Sequence, residues 1–208
     1  MTDMLPPDDK RKRTSGHSVP SSTQRELGLE AAALWPVFEC LITTNWQDST
    51  NLAHILVAKE PPFGGVVCCV FLVDLACLGP KEAFVTQFRT RDEYGTEFRP
   101  LMMNRYPMIP IEYPLAAKII SESLRYARNL GFELPPRVSK TLAALGPLDV
   151  ADTCQQQIPL GGEDGIPSYM AGPHDDVEHI MATLNRTCGK GNFHFTIPTN
   201  PLPRDFFD

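Results

Sequence analysis

The sequence predicts an α+β fold: a single domain with a mostly antiparallel sheet packed by three or more helices. Three observations carry this. Apolar, β-branched runs come first and helical patterns mostly follow, whereas a doubly wound fold would alternate them. The run Val66–Leu78 (VVCCVFLVDLACL) is apolar on both faces, as a strand inside a covered sheet must be. The chain has 208 residues and is 42% hydrophobic and 21% charged, enough for one core and its tails.

Residues 1–25 hold five basic and three acidic residues among Pro, Ser and Thr, with few apolar side chains. Such a segment buries too little to offset its ordering entropy, so a tail is expected there and one domain over 26–197. A helix is expected over Glu26–Leu34. Pro36 then turns the chain into an extended run, Val37–Thr44, followed by a polar turn and a second strand over Ala53–Lys59. Pro61-Pro62 and Gly64-Gly65 separate this strand from the long one. Gly79-Pro80 followed by KEAFVTQF reads as a helix start with Pro in its first turn, placing a helix near 80–88.

Residues 89–113 suggest irregular structure with one short helical piece. Pro114 opens a helix in which Leu115, Ile119, Leu124, Ala127 and Leu130 recur near the 3.6-residue period, and Gly131 stops it. After Pro135-Pro136, VSKTLAAL gives a further short helix, with loop over 146–157. Gly161–Gly165 suggests a hairpin. Val177, Ile180, Met181 and Leu184 share one face of a helix near 175–188, capped by Asp175 or Asp176 and ended by Gly189. A last strand is expected over 192–197, then a tail over 198–208 with three prolines.

The formal net charge of −6 opposes a non-specific polyanion binder. Nucleic-acid contact is conceivable only through Lys10, Arg11, Lys12 and Arg13, beside which Asp8 and Asp9 sit. No apolar run reaches the roughly 18–20 residues of a membrane span, so no membrane association is expected. The six cysteines show no CxxC spacing, and three lie in the most apolar stretch of the chain, which suggests reduced thiols in a cytoplasmic protein.

Asp74 is the sharpest oddity, a carboxylate inside VVCCVFLVDLACL. Burying it demands pairing, a metal or protonation. As a strand-borne acid it could hold a divalent metal for a hydrolase or nuclease, with Asp149, Asp152, Asp175 or Asp176 contributing. The plainer reading has it accepting backbone N–H bonds or capping the helix expected at Gly79-Pro80. Cys77 lies just before that helix, where a dipole could activate a thiol, though no hydrolase signature surrounds it. His174, Asp175 and His179 crowd metal-ligand types into six residues, which equally suits the acidic first turn of a helix.

Four phrases stand out together: FLVDLACLGPKEAF (71–84), SLRYARNLGFELPP (123–136), IPLGGEDGIPSYMAGPHDD (158–176) and LNRTCGKGNF (184–193). Their order and spacing resemble a family of uncharacterised bacterial proteins over roughly residues 35–195. The resemblance implies a bacterial, intracellular α+β protein and carries no activity, ligand or catalytic residue. With no cofactor fingerprint in the sequence, the leading expectation is an intracellular binding or accessory module acting through a protein partner. The alternative is a metal-dependent hydrolase centred on Asp74 and the downstream carboxylates.

Overall fold

In the computed structural model the described residues are 31–48, 52–62, 64–162 and 164–197. The doubly apolar run becomes β3 (Val66–Asp74), every residue of which is buried. It lies inside a five-stranded sheet of order β4-β3-β2-β1-β5, with β1 (Val37–Thr43), β2 (Leu52–Lys59), β4 (Gly79–Phe88) and β5 (Met108–Pro110). All neighbours pair antiparallel. The α+β expectation holds, with β1 to β4 as a continuous meander.

Side-chain alternation divides the sheet into two faces. Ile42, Ile55, Val57, Cys69, Phe71 and Val73 point to one core with Ile119, Ile120 and Leu124 of α3 (Tyr113–Asn129) and Val138 and Leu145 of α4 (Pro136–Leu145). Leu41, Leu56, Cys68 and Val70 point to the other. That face is covered by Tyr94, Phe98 and Met102, which follow the short α1 (Arg91–Glu93) on a π-helical stretch (Tyr94–Phe98) and α2 (Arg99–Arg105). Helices on both faces explain why β3 shows no polar alternation. The helical segment is held to β1 through Glu39, which accepts from the Tyr94 hydroxyl and, at 2.8 Å, from Arg99 Nε.

The helix expected near 80–88 is strand β4 instead. Ala83 and Val85 face the first core while Phe84 and Phe88 face the second, a period of two. Pairing with β3 over its whole length outweighs the local Gly-Pro signal. Pro80 is tolerated because the β3–β4 register shifts between Leu72 and Val73, where a missing N–H costs least. Gly79 has φ +65°, and a Cβ there would lie 2.7 Å from the Ser123 carbonyl oxygen, so only glycine lets β4 start this close to α3. The expected loop over 146–157 includes a 3₁₀ turn (Asp149–Thr153).

A third, smaller core joins α5 (Val177–Thr187) to a two-stranded ribbon of β6 (Ser168–Met170) and β7 (His194–Thr196), around Cys77, Leu130, Tyr169, Leu184 and Phe193. The hairpin expected around Gly161–Gly165 is a local turn, closed by Gly162 N–H donating to the Ile166 carbonyl at 2.7 Å. Its downstream strand pairs in parallel with β7, not back across the turn. The ribbon leans on the turn after β3: Gly161 N–H donates to Leu75 O and Ser168 N–H to Ala76 O, both at 3.0 Å. No helix among the described residues is long and apolar enough to cross a membrane.

Candidate functional site

Asp74 ends β3 and is 6% exposed. Its Oδ1 accepts from the N–H of Ala76 at 2.9 Å and of Cys77 at 3.0 Å, and its Oδ2 from Leu78 N–H at 3.2 Å. The carboxylate thus satisfies the backbone of the turn into β4, as an Asx turn does. Burial pushes its pKa above the usual carboxylate range, while the Lys81 charge and the three N–H groups pull the other way.

Cys77 has no helix ahead of it, which removes the dipole on which its activation rested. The thiol is fully buried in the third core. Burial, and then the Asp74 charge, push its pKa up, so it stays a thiol at neutral pH. A candidate nucleophile becomes a core side chain.

Asp175 belongs to a different constellation from the one its neighbours suggested. Its Oδ2 accepts from Lys81 Nζ at 2.9 Å, Tyr169 Oη at 3.2 Å and Gly172 N–H at 2.8 Å. Lys81 and Asp175 side chains are 14% and 11% exposed. This nearly buried pair ties β4 of the main sheet to the loop that opens α5. The cap of α5 is Asp176, whose Oδ1 accepts from His179 N–H at 3.0 Å. His174 and His179 are both exposed.

The proposed metal set of Asp74, His174, Asp175 and His179 is therefore not assembled. Asp74 faces three backbone donors, Asp175 faces a cation, and Asp149 and Asp152 are exposed in the 3₁₀ turn. Among the described residues no three His, Cys, Asp or Glu side chains are placed to share a metal. The donor sets do not fit a divalent cation, and no step through one is derived. Lys10, Arg11, Lys12 and Arg13 lie outside the described residues.

Comparison with family models, curated proteins and solved structures finds no match to this chain. Function must therefore be read from geometry. Two further features matter, and sequence reasoning missed both.

The first is Lys59, at the end of β2 and 2% exposed. Its ammonium donates to Leu145 O at 2.7 Å and Ala33 O at 3.0 Å. Leu145 is the last residue of α4, where a cation meets the negative end of the helix. Desolvation lowers the amine's pKa. The side chain reaches a cavity of about 420 Å³ whose lining includes Trp35, Tyr113, Leu145, Asp149 and Val150. A lysine closing an apolar strand gives no sign of this in sequence, since its partners lie 26 and 86 residues away.

The second is the β6–β7 ribbon. His194 N–H donates to Pro167 O and Thr196 O accepts from Ala171 N–H, so the amide and carbonyl of Phe195 point to the opposite, outer edge. Among the described residues no strand pairs with that edge. Phe195 and Ile197 are 54% and 56% exposed, two residues apart beside the buried Phe193, and Met170 is 47% exposed on the ribbon's other face. The alternation in NFHFTI signalled a strand but not that its apolar residues overhang the core.

Proposed function

We propose that the protein is a cytoplasmic binding module that acts through a protein partner and performs no chemistry of its own. The observation that carries this reading is the outer edge of β7, a strand edge flanked by exposed Phe195 and Ile197. An edge strand with alternating apolar side chains is the template for adding an extended segment: its backbone supplies the hydrogen bonds, and its side chains select the partner. The occupant proposed is an extended peptide segment of the partner, with an apolar side chain at every second position to meet Phe195 and Ile197. One point supports the module over an enzyme, and one supports the compartment. Asp74, Cys77 and Asp175 are each engaged in holding the fold. The six cysteines are unpaired, as a reducing compartment favours.

The test is photo-crosslinking in cells from a photoreactive residue at position 195, with position 101 as the control. Leu101 is 50% exposed on α2 and belongs to another surface. The expected outcome is a discrete protein adduct from 195 and none from 101. The purified partner should then bind the wild type and fail to bind Ile197→Asp. An equal pattern from both positions, or unchanged binding by Ile197→Asp, overturns the reading.

A further inference from the structure

We draw no further inference here: the strongest candidate, the buried side-chain cluster of Asp74, Lys81, Tyr169 and Asp175 between the end of β3 and the β6–β7 ribbon, belongs to the site already described, where each member is engaged in holding the turn after β3 or the loop before α5.

Discussion

Replacing Asp175 with alanine should loosen the ribbon and α5 from the main sheet. The carboxylate oxygen removed accepts three bonds, from Lys81, Tyr169 and Gly172, at 2.8–3.2 Å. Lys81 is left as a nearly buried cation, and breaking such a pair from one side costs about 3–5 kcal/mol. The Tyr169 hydroxyl, on a side chain only 1% exposed, and the Gly172 N–H lose their acceptor in the same step. Lys81→Met combined with Asp175→Ala removes the orphaned charge and leaves those neutral donors, at about 1–3 kcal/mol, while Asp74 loses the Lys81 charge but keeps its three backbone N–H donors. The double variant should therefore be more stable than the sum of the single losses implies, by at least about 1 kcal/mol. Urea unfolding of the four proteins measures this coupling. Thiol labelling under native conditions localises it: Cys77, packed in the third core, should label faster in Asp175→Ala, while Cys69 in the sheet should not. A single variant within about 0.5 kcal/mol of wild type, as for an ordinary surface change, or strict additivity across the cycle, contradicts this role for Asp175.

Further outcomes follow from other parts of the structure. Gly79→Ala should lower stability by about 1–3 kcal/mol, because a positive φ and a contact with the Ser123 carbonyl both oppose a Cβ; a thermal melt unchanged from wild type contradicts this. Burial raises the Asp74 pKa above its unfolded value of about 3.9. The sign is then fixed: Asp74's contribution to stability is present below the unfolded pKa and is lost as pH rises through the folded one. Asp74→Asn, which does not titrate, should lack this fall, so the urea midpoint difference, wild type minus variant, should decrease as pH rises from about 4 toward neutrality; a flat or rising difference contradicts it. Burial pushes the Cys40 and Cys69 thiols up to about 12, so both should resist iodoacetamide at pH 8 until the chain unfolds, after Cys154, which is half-buried, has reacted. Mass spectrometry of the labelled sites reads the order.

The legible part of the fold was the part written in local pattern. The β3 run showed burial on both faces, and α3 and α5 announced themselves by period, cap and glycine stop. The misreading of β4 shows where local pattern fails. Gly79-Pro80-Lys-Glu-Ala has the chemistry of a helix start, yet the segment's conformation is decided by pairing with β3, which no local window contains. The hairpin around Gly161–Gly165 failed likewise, because the partner of β6 is β7, some 26 residues on. The π-helical stretch at Tyr94–Phe98 falls in sequence that showed no period at all. At the site level, Asp74 was visible because a carboxylate in an apolar run is costly, and its turn-capping role was one of the two readings open. Asp175 looked like a metal ligand beside His174 and His179, but its partner Lys81 is 94 residues away. Lys59 gave no signal, since its meaning comes from two carbonyls on other elements.

The buried acids Asp74 and Asp175 hold the structure together, and among the described residues they join no set of side chains placed to share a metal. Thermal melts of the wild type and Asp74→Asn, each with and without Mg²⁺, Mn²⁺ and Zn²⁺, test it most directly. A ligand that binds only the folded state raises the melting temperature. No metal-dependent rise is expected in the wild type, and the same indifference to metal in the variant. A metal-dependent rise that disappears in Asp74→Asn would contradict it and restore the hydrolase reading.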